Sequence, residues 1–130
     1  MLELAGPVSD RVQIQHVILG ESIARRRALS DGPPTELSLS VNVRTELKGD
    51  EHLIQVFPRF TLTGRDGPDG AEEVLRVEAM FVAVYRIPNV DGIRRESIDA
   101  FGQINGIYNV WPYWREFVQN TVARMGLPPL

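Results

Sequence analysis

Alternation dominates the first two-thirds of the chain. In ELSLSVNVRTEL, Leu37, Leu39, Val41 and Val43 alternate with Ser38, Ser40, Asn42 and Arg44. A period of two marks a strand with one buried and one wet face. RVQIQHVILGESIARR, residues 11–26, reads as an earlier strand. Strict alternation there puts Val12, Ile14, His16 and Ile18 on one face, with Val17 and Leu19 on the other. RRRALSDGPPTE comes next, and Gly32, Pro33 and Pro34 break any regular element. Its length predicts a crossing connection rather than a tight hairpin. After a KGDE turn, HLIQVFPRFTLTG predicts a third strand with Ile54, Val56, Phe60 and Leu62 on one side. Pro58 cannot donate to a ladder, which predicts an edge strand or a bulge.

A second turn, RDGPDG, leads to EEVLRVEAMFVAVYRI. Leu75, Val77, Ala79, Phe81, Ala83 and Tyr85 share one face, while Met80, Val82 and Val84 fill the other. A strand apolar on both faces is one covered on both sides. Helices on one side of a small sheet cover one face, so the other needs a second copy or a partner. A central strand of a sandwich has the same pattern, and the two readings stand level.

From Ser97 the period lengthens. Ser97 is a candidate N-cap, with Ile98, Phe101 and Ile104 behind it. NGIYN interrupts this short helix. Trp111, Trp114, Phe117, Val118, Thr121, Val122 and Met125 then recur at helical spacing. Pro112 suits the first turn of that second helix, and Gly126 its end. The expected fold is α+β: a four-stranded antiparallel sheet, then a short helix and a long amphipathic helix, in one domain spanning residues 1–130.

Composition narrows the function by exclusion. The chain has 130 residues, 43% hydrophobic and 24% charged, as a folded globular domain requires. It has no cysteine, so disulfides and thiolate metal sites are excluded and a cytoplasmic setting is expected. The opening MLELAGPVSD has no secretory pattern, and no apolar run approaches the length of a membrane helix. A net charge of −3 gives no general attraction to nucleic acid. The local basic run ARRRA is too small an area for a nucleic-acid surface.

Catalytic material is sparse. His16 and His52 are the only histidines, and neither has an oriented partner in sequence. No metal-ligand spacing occurs. GRDGPDG lacks the lysine of a phosphate loop, and Glu72 and Glu73 point to opposite faces of a strand. The expectation is a protein that is not an enzyme and uses no cofactor.

The order of elements and the stretch NVWPYWREFVQNTVARMGLPPL resemble the SecB family of protein-export chaperones. The motif is Trp111, Pro112, Tyr113, Arg115 and Glu116, then Leu127, Pro128 and Leu130, and VQIQHV is similar to the family's first strand. The resemblance covers roughly residues 11–130. It implies a homotetramer, a dimer of dimers, that binds unfolded, export-bound polypeptides along apolar grooves without nucleotide and delivers them to the SecA motor. It implies an oligomer interface at Leu75, Val77, Ala79, Phe81, Ala83, Tyr85, Trp111, Trp114 and Phe117. It also implies SecA docking at Glu21 and Glu78, and a client groove at Leu29, Pro33, Pro34 and Leu37.

There are departures. Relatives carry a second helix and an acidic tail, whereas this sequence stops at Leu130. Arg25 stands where a further first-strand acid is expected, and the crossover lacks a tryptophan. SecB-like chaperones that protect an unstable antitoxin are a second form of the same reading. A small-molecule carrier or thioesterase-like domain is the rival from another class; a closed apolar cavity with convergent polar groups would favour it.

Overall fold

The computed structural model describes residues 1–27 and 33–129. Its strands are β1 (Gln13–Arg26), β2 (Glu36–Lys48), β3 (Leu53–Asp66) and β4 (Glu72–Arg86). They pair antiparallel in the order β1–β4–β3–β2, so β1 and β2 form opposite edges and the chain between them crosses from one to the other. Short turns at Gly49–Glu51 and Pro68–Gly70 join β2 to β3 and β3 to β4. These strands, and the helices after them, make the α+β fold that the hydrophobic pattern predicts.

Two strand details differ from strict alternation. β1 shifts register against β4 between Ile14 and His16 and again between Leu19 and Glu21. Each bulge adds one residue, which re-aims the side chains beyond it. Val17 pairs with Ala83 and Leu19 with Phe81, on the helix-covered face, while His16 and Ile18 pair with Val84 and Val82 on the other. Pro58 lies in the interior strand β3, opposite Val43 of β2, not on an edge or at a bulge. The β3–β4 pairing skips Phe57 and Pro58 without a change of register, so the missing N–H costs a gap in one ladder only.

One sheet face carries the core. Ile54, Val56 and Phe60 of β3 and Leu75, Val77, Ala79, Phe81, Ala83 and Tyr85 of β4 are all at most 5% exposed. A helical run covers them: α2 (Arg95–Phe101), a π-helical turn (Gly102–Gly106) and α3 (Ile107–Arg124). Its backbone stays right-handed helical across both junctions, so NGIYN does not interrupt a helix. The helix starts before Ser97, which is buried within it, and Pro112 lies inside α3 rather than in a first turn. Pro112 is exposed, so the Tyr108 carbonyl that loses its donor lies on the solvent side.

The glycines bring the run onto the sheet. A Cβ at Gly106 would stand 2.5 Å from Val56 Cγ1, and one at Gly102 would fall on Thr45 Oγ1. In an open helix Gly→Ala stabilises by ~1 kcal/mol. Here overpacking costs ~1–3 kcal/mol. Gly106→Ala is therefore expected to lower the melting temperature, by roughly 5 °C, where an exposed helix glycine would raise it. A thermal melt by circular dichroism reads the sign.

At the C-terminal end, Gly126 (φ 76°) donates to the Ala123 carbonyl and Leu127 to that of Val122. This is a Schellman ending, closed by the buried Leu127. α1 (Leu2–Ser9) adds a helix beyond the expected two; its eight residues, with Gly6 and Pro7, carry no clear period. It packs on α2 through Ala5 and Val8.

Candidate functional site

An open cleft of about 320 Å³ runs between α3 and the β2 side of the sheet. Leu39 of β2 and Leu62 of β3 form one wall; Trp111, Trp114, Arg115, Val118 and Gln119 of α3 form the other. Local sequence explains the placement. The β2 alternation turns Leu37, Leu39 and Val41 toward the helix, opposite Gly64, Leu62 and Phe60. With no strand beyond β2, Leu37 and Leu39 stay 45% and 44% exposed.

The aromatic stripe of α3 splits in function. Val110, Trp114, Val118 and Val122, four apart, form the buried seam. Trp114 is 2% exposed and stacks on Phe60 with centroids 5.2 Å apart and planes at 7°. Phe81 meets Phe60 edge-on at 6.3 Å and Phe117 at 6.5 Å, and Phe117 also contacts Trp114 at 6.2 Å. Trp111 meets the Phe60 edge at 6.0 Å but keeps 41% of its surface in solvent. Trp114 is thus core and groove floor together, and Trp111 a groove wall.

This corrects the interface expectation for β4. Leu75, Val77, Ala79, Phe81, Ala83 and Tyr85 are buried within one chain by its own helices and are not offered to a partner. The pattern of two apolar faces gave no sign of which one the helix takes. The uncovered face carries Met80 and Val82, half-buried, with Ile18 and Ile23 of β1 about half exposed.

The expected groove residues are placed unevenly. Leu29 lies outside the described residues. Pro33 is exposed, and Pro34 packs near Gly64 at the start of β2. Leu37 shares a strand face with Leu39 and continues the cleft's leucine wall. The lining residues missed from sequence are Leu39, Leu62, Arg115, Val118 and Gln119. Their signal was present in the β2 alternation and the helical period, but only the sheet order juxtaposes them.

Glu21 and Glu78 do come together, on the helix-free face, through Arg59. Its guanidinium donates to both carboxylates. Glu78 also accepts from Arg76 Nη1 at 3.1 Å. Arg76 in turn grips Glu73 through Nε at 3.2 Å and Nη2 at 2.8 Å. Arg25 and Arg65 flank Glu73 at 3.6 and 3.7 Å. Four arginines thus face three glutamates, and the surface is not anionic.

The Arg76 hydrogen bonds hold the Glu73 carboxyl below its ordinary 4.5, against the upward push of burial, with Arg76, Arg65 and Arg25 charges assisting. A carboxylate with a depressed folded pKa stabilises the fold above its unfolded pKa, and that contribution is lost as pH falls through the folded value. Urea midpoints should fall as pH drops below about 4.5. Glu73→Gln should flatten that acid limb, and parallel limbs in the two proteins would refute the assignment.

Elsewhere, Asn109 Nδ2 donates to Tyr85 Oη at 2.9 Å, and burial pushes the phenol pKa up. Among the described residues no group of three or more His, Cys, Asp or Glu converges to hold a metal. Among them, too, no helix is long and apolar enough to cross a membrane.

No family model and no curated protein matches the sequence. Among solved structures, the Mycobacterium tuberculosis SecB-like chaperone Rv1957, in complex with a ChAD peptide from the Rv1956 HigA1 antitoxin, superimposes with a TM-score of 0.77. The match covers 98% of this chain and 93% of that one, at 20% identity. The chain has a SecB-like fold. A Streptococcus agalactiae protein of unknown function also aligns, over 92% of this chain and 94% of that one at 8% identity, but its TM-score of 0.42 is too low to bear on the fold. Within the SecB-like fold, the cleft lies between the long helix and edge strand β2, and the arginine-tied glutamates lie on the opposite face of the sheet.

Proposed function

We propose that this protein is a chaperone that holds extended segments of unfolded polypeptides in the cleft between α3 and β2. The observation that carries the reading is an open apolar groove beside an unpaired strand edge: Leu37, Leu39 and Trp111 are each 41–45% exposed along it. Apolar burial yields ~25 cal/mol per Å², and an edge strand adds main-chain hydrogen bonds. Both are available from almost any unfolded chain, so such binding tolerates sequence. The work needs no catalyst or cofactor. A closed cavity, which a carrier or thioesterase-like domain needs, is not what these residues line.

An antitoxin-type client is favoured over an export-bound preprotein. The neighbour of the same fold was solved with an antitoxin peptide. Delivery to SecA through Glu21 and Glu78 would need a free anionic surface, and Arg59 and Arg76 neutralise that one. Assembly belongs to the proposal. β1 is an edge with Ile14, Ile18, Leu19 and Ile23 each 45–52% exposed, a surface suited to another copy and, in a cytoplasmic protein, to a homotetramer. Light scattering should give a multiple of the chain mass.

Stoichiometric protein should suppress aggregation of an unrelated unfolded client. Trp111→Ala should weaken client binding about tenfold, as loss of a groove anchor does. Its melting temperature should move by no more than about 3 °C, because the ring is partly exposed. Unimpaired binding by this variant, or no suppression by the wild type, would overturn the reading.

A further inference from the structure

We propose that the groove selects client segments in which a bulky apolar residue and an acidic residue stand two positions apart, the carboxylate pairing with Arg115. The proposal rests on the chaperone reading and adds a chemical preference to it. Arg115 and Gln119 are the polar members of a lining otherwise made of Leu39, Leu62, Trp111, Trp114 and Val118. Arg115 lies four residues beyond Trp111, so the two stand on one side of α3, one turn apart. Among the described residues Arg115 makes no hydrogen bond or ion pair, although most of the other arginines are engaged. The facing wall offers it nothing: Leu37 and Leu39 are apolar, and Ser38 turns to the other side of the sheet, where its Oγ lies 2.8 Å from Thr63 Oγ1.

An exposed, unpaired guanidinium at the rim of an apolar cleft is complementary to a carboxylate. Its planar donors match both oxygens, and charge-assisted bonds are the strong ones. The spacing comes from two periods. A client strand beside β2 presents every second side chain to the helix, about 6.6 Å apart. Trp111 and Arg115 are separated by about 6 Å of helix rise. One side chain therefore meets Trp111 while the next on the same face meets Arg115. Strand direction sets whether the acid comes before or after the apolar residue.

The test uses short extended peptides carrying phenylalanine-x-glutamate, the glutamine analogue and the lysine analogue, each in both orders. Binding is monitored by tryptophan fluorescence for the wild type and Arg115→Gln at low and high salt. In one order, the wild type should bind the glutamate peptide about tenfold tighter than the glutamine peptide. The lysine peptide should bind weakest, and the preference should shrink as salt rises. In Arg115→Gln the glutamate and glutamine peptides should bind alike. Equal binding of the two by the wild type, or a preference that survives in Arg115→Gln, overturns this proposal and leaves the chaperone reading intact. Failure of every peptide to bind, together with unsuppressed client aggregation, overturns both.

Discussion

Phe81→Asp is expected to unfold the chain, not to separate folded subunits. Phe81 is 5% exposed at the centre of β4, edge-on to Phe60 and Phe117. The arginines nearest in register, Arg59 and Arg76, are engaged on the opposite face of the sheet, where they hold Glu21, Glu73 and Glu78. An aspartate at this site would lose the ring's packing, worth ~3–5 kcal/mol. It would also bury a carboxylate with no partner, at a cost of several kcal/mol more. Together these are comparable to the ~5–15 kcal/mol that holds a domain. Far-ultraviolet circular dichroism should show loss of the cooperative melt, and light scattering an aggregate. Phe81→Leu, which keeps most of the apolar volume, should still fold. A folded, soluble Phe81→Asp monomer would contradict the intramolecular role given to this face and restore it as a surface between subunits.

The sheet was legible because its signals are local. Leu37 to Val43 alternate without interruption, and β2 pairs with β3 from Glu36 to Lys48 in one unbroken register. The features that escaped depend on partners distant in sequence. The bulges in β1 come from Gln15 and Gly20 sitting extra against β4, and one added residue reverses every side chain after it. A Cβ on Gly20 would stand 2.8 Å from the Met80 side chain, a contact that periodicity cannot reveal. Gly106, within NGIYN, read as a breaker because glycine usually breaks helices, yet here Gly102 and Gly106 admit Thr45 and Val56. For the candidate site, the aromatic helix and the β2 leucines were each visible alone. Only the order β1–β4–β3–β2, which leaves β2 without an outer neighbour, makes a groove of them. The acidic pair was found without its bridging counter-charge, since Arg59 reaches Glu21 and Glu78 only from another strand, β3, whereas Arg76 stands two residues before Glu78 on β4.

Trp114→Ala should separate the two duties of the groove floor. The indole is 2% exposed, stacked on Phe60 and in contact with Phe117, and it also lines the cleft beside Trp111. Truncating a buried aromatic costs ~3–5 kcal/mol, because the cavity left behind collapses only partly. For a chain of this size that lowers the melting temperature by roughly 10–20 °C. Trp114→Phe keeps a ring over Phe60 and should lose less than half as much. Client binding measured well below both melting points then reports on the floor alone. Widening the cleft under an apolar side chain removes contacts without removing the edge of β2 or the Trp111 wall. Trp114→Ala should therefore be the less stable protein and Trp111→Ala the weaker binder. Melts and client titrations on the two variants together decide the matter. If Trp114→Ala melts like the wild type, the indole is not the core residue that its packing on Phe60 indicates.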